Sequence, residues 1–331
     1  MLRMLKITGV LLLTLLLSGC YPGQAADFKN PRGALSAWIV YWDIAGGQRE
    51  YEGRQSSLDS VSYFAASFDE QDQLFLPEEM AALRLPPDRL NYLTIVNDQW
   101  LADGSKRLKD KALLERLLAD DASRENHADQ IIAQVRAGGF QGVEIDYEGF
   151  WKDQKLTQKY LQFTYKLCRK ALAAKLKVRI VLEPWAPFDA DFCRGAEYVV
   201  MLYNIYGLHS GPGPKANPAF IRSTLLKMQS LPGPRSVALA TGGCLWGSDG
   251  SKKLLTMEAA RTLVRKHQGS LRRDTGSGCQ VLSYREGNVL YELWYADDKT
   301  LRLWQGAVLE EESVNISIWR LGGNDGLGGI R

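Results

Sequence analysis

Two hydrophobic rhythms take turns along this chain. Short apolar runs rich in aromatic and β-branched residues occupy residues 36–42, 61–68, 93–97, 142–148, 178–183, 198–203, 236–241 and 314–319, and each reads as a strand. Between them, apolar residues recur at helical spacing. The clearest case is Leu156, Tyr160, Phe163, Leu167 and Ala171, at steps of four, three, four and four, which is one stripe of an amphipathic helix that needs a sheet to cover. Further helical stretches are predicted near residues 77–85, over 105–118 and 126–137, near 189–195, and over 217–231, 256–269 and 298–308, the last containing Leu301, Trp304 and Val308. Asp43 with the Gly46-Gly47 pair reads as a loop. One segment breaks the alternation: residues 280–284 and 289–295 read as the arms of a β-hairpin around Glu286-Gly287-Asn288.

Strands alternating with helices imply parallel βαβ units. Eight such units in 331 residues imply a (β/α)8 barrel with a small hairpin insertion between strands seven and eight, with an open doubly wound sheet as the alternative. In a barrel the chemistry sits at the C-terminal ends of the strands. That directs attention to the fourth strand, Gly142-Val143-Glu144-Ile145-Asp146-Tyr147-Glu148. Side chains alternate between faces of a strand, so Glu144, Asp146 and Glu148 share one face, neighbours about 6.5–7 Å apart. Three carboxylates in a row are costly unless the face lines a polar cavity. The outermost, Glu148, would have its ionisation opposed by the two below and its pKa raised, as suits a general acid. Asp146, on the same strand, is poorly placed as a nucleophile across a sugar.

Composition narrows the field. Apolar content of 45% and charge content of 24% are those of a globular protein with a large core. Net charge is +3, of which Arg3 and Lys6 supply two; no basic run stands out, which argues against nucleic acid as a partner. Those two residues open a leader whose apolar stretch, residues 7–17, is too short to span a bilayer, and Leu17-Ser18-Gly19-Cys20 follows it. This resembles a bacterial lipobox. Residues 1–19 are then a signal peptide, Cys20 a lipidated N-terminus, residues 20–34 a tether, and residues 35–331 one catalytic domain. Tyr21 after the cysteine, in place of Asp, favours the outer membrane over the inner. Cys168, Cys193, Cys244 and Cys279 have no zinc spacing, and their pairing is left open; His127, His209 and His267 are isolated, so no metal site is expected.

The fourth strand resembles the D-G-x-D-x-D-x-E signature of glycoside hydrolase family 18, the chitinase-like barrels. Asp146 and Glu148 match its last two acids, while Gln141 and Glu144 stand at its first two Asp positions. Residues 36–43 resemble the family's first strand. Met201-Leu202-Tyr203-Asn204 resembles its M-x-Y-D, with Asn204 for Asp, and Ile316-Ser317-Ile318-Trp319 with Arg320-Leu321-Gly322-Gly323 resembles its eighth strand. Residues 280–298 resemble the spore-cortex-lytic, peptidoglycan-cleaving branch. The resemblance implies a retaining hydrolase of β-1,4 bonds in N-acetylglucosamine glycans, peptidoglycan or chitin-like, working by substrate assistance without a cofactor and as a monomer. It implies Glu148 as acid and base, Asp146 orienting the 2-acetamido group, Tyr203 holding its carbonyl, Trp319 as the platform under the sugar, and Asn204 and Glu144 binding near it, Glu144 as a substituted tuner. Trp185, after Glu183-Pro184, is a candidate subsite residue, and Asn97 a further candidate at the third strand's end. The alternative is a lectin-like barrel that binds glycan without cleaving it.

Overall fold

The computed structural model describes residues 33–54, 57–267, 269–311 and 314–324. The expected signal peptide, the lipidation cysteine Cys20 and nearly all of the tether lie outside the described residues.

Eight parallel strands form a closed ring: β1 (Leu35–Val40), β2 (Ser60–Phe68), β3 (Leu90–Trp100), β4 (Gly142–Asp146), β5 (Lys177–Leu182), β6 (Glu197–Met201), β7 (Arg235–Ala240) and β8 (Asn315–Trp319). Each pairs with the next in sequence, and β8 closes on β1 through Leu35↔Ile316, Ser36↔Ser317 and Ala37↔Ile318. This is the expected (β/α)8 barrel. Among the described residues seven α-helices connect its parts: α1 (Ile44–Glu52), α2 (Lys111–Leu117), α3 (Asp121–Ala137), α4 (Gln154–Ala173), α5 (Pro218–Met228), α6 (Met257–Lys266) and α7 (Asp298–Glu311). The stripe of α4 is buried throughout, with Leu156, Tyr160, Phe163, Leu167 and Ala171 in the layer between helices and strands. Burial of each large side chain contributes about 1.5–3 kcal/mol. Asp153 caps the helix by accepting from the Leu156 N–H at 3.1 Å.

Four local expectations are corrected. The stretch 105–118 is not one helix. β3 runs on past Asn97, and Gln99 and Trp100 pair antiparallel with a two-residue strand, Lys106–Arg107, before Asp110 caps the shorter α2. The Gly46-Gly47 loop is part of α1, where the glycines allow close packing: a Cβ on Gly47 would lie 2.7 Å from the Ile39 side chain. Residues 189–195 make turns rather than a helix and carry Phe192 and Cys193 into the core. The insertion between β7 and β8 is larger than a hairpin. The two predicted arms, Gln280–Glu286 and Val289–Ala296, are central strands of a five-stranded antiparallel sheet completed by Gly242–Gly247, Lys252–Leu255 and Ser270–Arg273. The α6 side chains Ala260, Leu263 and Val264 pack on one of its faces with Leu282, Leu293 and Tyr295. Cys168, Cys193, Cys244 and Cys279 are buried free thiols.

The barrel interior divides into two kinds of packing. Trp38, Val181, Val199, Met201 and Ala238 form an apolar cluster that Phe64, Tyr203 and Trp319 cover from one side. Ser36, Ser62, Arg179, Ser236 and Ser317 are also buried, and they form a hydrogen-bonded polar group with Glu144 and Glu197.

Candidate active site at the C-terminal rim of the barrel

β4 carries the acids, and they meet three different environments. Glu144 is fully buried (0% exposed). Its Oε1 accepts from Trp38 Nε1 at 2.5 Å and Thr94 Oγ1 at 2.7 Å. Its Oε2 accepts from Ser62 Oγ at 3.1 Å and lies 3.0 Å from Arg179 Nη1. Arg179 in turn donates to the hydroxyls of Ser62 (3.0 Å) and Ser317 (2.7 Å), and its Nε is 3.5 Å from Glu197 Oε2. All four directions in which a carboxylate accepts are filled. Glu144 therefore has no face left for a sugar, contrary to its expected place among the substrate-binding residues. The arrangement fits a residue that acts on Asp146 from below.

Asp146, one step up the same face, is 7% exposed, and its Oδ1 has no hydrogen-bond partner among the described residues. Burial pushes its pKa well above the usual carboxylate range, and the charges of Glu148 and Glu144 push it further. It is a buried acid with an acceptor position left over for a ligand's donor.

Glu148 lies just beyond the strand end. Asn97 fixes its backbone by accepting from the Glu148 N–H through Oδ1 (2.9 Å) and donating to the Glu148 carbonyl through Nδ2 (3.0 Å). The neighbouring Gly149, at φ +83°, donates its N–H to Glu183 Oε2 at 3.0 Å. On the other face Tyr147 bonds His127 Nε2 at 2.8 Å, and burial takes the pKa of that histidine down to about 3, so it is neutral and structural. The pKa of Glu148 is raised, as the sequence implied, but chiefly by burial; Glu183 and Asp98 add to the effect. A cation opposes it: Lys109 Nζ lies 2.6 Å from Glu148 Oε2.

Facing the acids are the strand-end aromatics. Trp319 packs edge-on to Trp38 (5.8 Å between ring centres) and Phe64 (5.1 Å), and lies parallel to Tyr203 at 6.5 Å. The Tyr203 hydroxyl has its pKa raised by burial and then by the charges of Asp146, Glu148 and Glu144, so it shares their field. Asn204 follows it, half-buried, after β6. Trp185 stands 56% exposed beyond β5, and no described contact joins it to the acids. Among the described residues no cluster of three or more His, Cys, Asp or Glu side chains could hold a metal ion.

Sequence reasoning found Asp146, Glu148, Tyr203 and Trp319, which the fold brings to one end of the barrel. It missed Arg179, Lys109 and Asp98. Arg179 was visible only as a charge inside an apolar strand. Lys109 sits in a stretch expected to be helical, so nothing pointed it at the fourth strand.

No family model matches the chain. YvbX of Bacillus subtilis, an uncharacterized glycosylase, is 22% identical over 228 residues, spanning 64% of this chain and 66% of that one. The spore cortex-lytic enzyme SleL of Bacillus megaterium matches with a TM-score of 0.73 at 14% identity, over 90% of this chain and 72% of that chain. A chitinase from Chromobacterium violaceum matches with a TM-score of 0.71 at 15% identity, over 88% and 95%. A GH18 chitinase from Cycas revoluta, solved with (GlcNAc)3, matches with a TM-score of 0.67 at 14% identity, over 87% and 95%. The chain has their fold. At these identities the fold is what is shared, and the chemistry rests on the side chains at the rim.

Proposed function

We propose that the chain is a family 18-type glycoside hydrolase that cleaves β-1,4 bonds next to N-acetylglucosamine, in peptidoglycan or a chitin-like glycan, with retention and substrate assistance. The observation that carries the reading is the pair on one strand end: a buried Asp146 with an unpartnered oxygen, and Glu148 one alternation above it with a raised pKa. The likeness to chitinases and to SleL supports the substrate class.

The residues divide the work. Glu148, protonated, donates its proton to the glycosidic oxygen as the bond to the anomeric carbon breaks. The carbonyl oxygen of the substrate's own 2-acetamido group attacks that carbon and forms a cyclic oxazolinium ion, so no protein nucleophile is required. Asp146 accepts from the acetamido N–H and, ionised, offsets the positive charge that develops there. Tyr203 donates its hydroxyl to the acetamido oxygen, and Trp319 supports the apolar face of the ring. Glu148, now a carboxylate, takes a proton from water, which opens the oxazolinium from the face the leaving group left. The resemblance of residues 17–20 to a lipobox, with Tyr21 after the cysteine, supports an outer-membrane lipoprotein at the cell envelope, and we read the chain as a monomer there.

Incubation with chitooligosaccharides and with purified peptidoglycan, followed by mass spectrometry beside Glu148→Gln, tests the reading. Cleavage by the wild type and its loss in the variant are expected. Tight binding without products from either substrate would indicate the lectin-like alternative, which the raised pKa of Glu148 disfavours.

A further inference from the structure

The ion pair between Lys109 and Glu148 is at odds with the work of a general acid. An ammonium group 2.6 Å from the carboxylate favours its ionised form, whereas proton donation needs the neutral one. We propose, on the reading of the site given above, that Lys109 is a specificity-determining residue: it leaves Glu148 for a carboxylate carried by the glycan, so the enzyme prefers an anionic, peptidoglycan-type strand to neutral chitin.

The geometry suits such an exchange. The Glu148 side chain is 13% exposed and that of Lys109 is 49% exposed, so the acid is inside and the lysine reaches it from the solvent side. Of the three N–H donors of Lys109, Glu148 Oε2 takes one, and no other acceptor bonds the ammonium among the described residues. Its backbone is held at the position by the Lys109 N–H, which donates to Asp98 Oδ1 at 2.8 Å, and has φ +54°, a conformation that costs a non-glycine residue about 1–2 kcal/mol. The groups that face Glu148 are Lys109 before α2, Asp98 at the end of β3, Asp146 on β4, Glu183 beyond β5 and Tyr203 beyond β6. Lys109 is the one cation among them.

A second observation comes from Lys106, three residues earlier. Its Nζ bonds the Tyr41 hydroxyl at 2.8 Å and sits 3.4 Å from the centre of the Trp100 ring. No carboxylate lies within ion-pair distance of it among the described residues. Lys106 and Lys109 both favour ionisation of Asp98, which places them on the same side of the rim. The flank of the acid thus offers two cations, of which Lys106 lies against the aromatic rings of Tyr41 and Trp100. Aromatic faces suit sugar rings, and the ammonium groups suit acids borne on those sugars. Chitin has no acid to offer, whereas a strand in which N-acetylglucosamine alternates with a lactyl-ether sugar carries a free lactyl carboxylate on each such ring without a peptide, and the peptide's own carboxylates on each ring with one.

The exchange also couples recognition to chemistry. With Lys109 on the substrate's carboxylate, Glu148 keeps burial, Glu183 and Asp98, all of which raise its pKa. The right substrate would create its own general acid. A neutral glycan leaves the lysine in place, where its charge goes on opposing protonation of the acid.

The test compares soluble, uncrosslinked peptidoglycan strands with the same strands after their carboxylates are converted to amides, and with chitotetraose. The wild type should show at least a tenfold higher kcat/KM on the anionic strands. Lys109→Gln should lose that preference and shift the alkaline limb of its chitotetraose profile to higher pH; Lys109→Arg should keep the preference. Equal rates on acid and amide strands, or a Lys109→Gln variant with the wild-type preference and pH profile, would overturn the proposal. Binding separates this failure from failure of the glycosidase reading. By calorimetry, Glu148→Gln, in which the lysine is released, should bind anionic strands at least tenfold more tightly than amidated ones. The double variant with Lys109→Gln should bind both alike. Absence of any cleavage would count against the enzyme reading, while this binding difference would still decide the role of Lys109.

Discussion

Two cation–carboxylate pairs hang on the same face of β4, and they are opposites. The lower, Arg179–Glu144, is sealed: the two side chains are 1% and 0% exposed, and every acceptor position of the glutamate is filled. The upper, Lys109–Glu148, is open: the lysine is half-exposed, and its acid lies above the unpartnered oxygen of Asp146. A sealed pair whose carboxylate is fully hydrogen-bonded serves as architecture, even though the Arg179 Nε has no hydrogen-bond partner among the described residues. An open pair of one contact can exchange partners at little cost. The difference teaches where on the strand structure ends and chemistry begins, at Asp146.

The contrast can be broken by mutation. Arg179→Met should be the most damaging change: it leaves Glu144 charged and buried, and should cost about 3–5 kcal/mol in chemical denaturation. Arg179→Met with Glu144→Leu should be more stable than Arg179→Met alone, because no charge is stranded; if the double variant is no better, the lower pair is not the structural unit described. Asp146→Asn should have the opposite sign. The pKa of Asp146 is raised in the fold, so the protonated form is favoured; that stability is fully present below the ordinary carboxylate range and is lost as pH rises through the folded value. At neutral pH the asparagine should therefore stabilise the protein and raise its melting temperature, while activity falls. The gain should vanish near pH 4 in a melting series, and a gain that is constant with pH would contradict the assignment. Lys109→Met should do least to stability, changing it by under ~1 kcal/mol in the same denaturation experiment, although it sits on the reactive acid. A loss as large as that of Arg179→Met would erase the distinction between the pairs.

The barrel was legible because its strands are short apolar runs buried on both faces, while the stripe of α4 keeps the helical period. The acids were legible because alternation along a strand fixes a face. What sequence reasoning missed depended on long-range pairing. The stretch 105–118 has helical spacing in its leucines, yet the end of β3 claims Lys106–Arg107 as a partner and turns Lys109 toward Glu148. Tertiary pairing outweighed local propensity there. The insertion sheet was under-read for a similar reason: Ser270–Arg273 and Lys252–Leu255 are short, largely exposed edge strands, the first paired with a predicted arm and the second with Gly242–Gly247. Gln141 likewise makes sense only in the fold, where it bonds the Asn91 backbone N–H at 3.0 Å at the base of β4 and takes no part at the rim.

The central claim is that Glu148 and Asp146 work as a pair on a substrate that supplies its own nucleophile. Proton NMR of chitotetraose or peptidoglycan strands during the first turnovers, wild type beside Glu148→Gln, tests it most directly. Newly released reducing ends should appear as the β-anomer, with none formed by the variant. Initial α-anomer, or cleavage undiminished in Glu148→Gln, would contradict the mechanism.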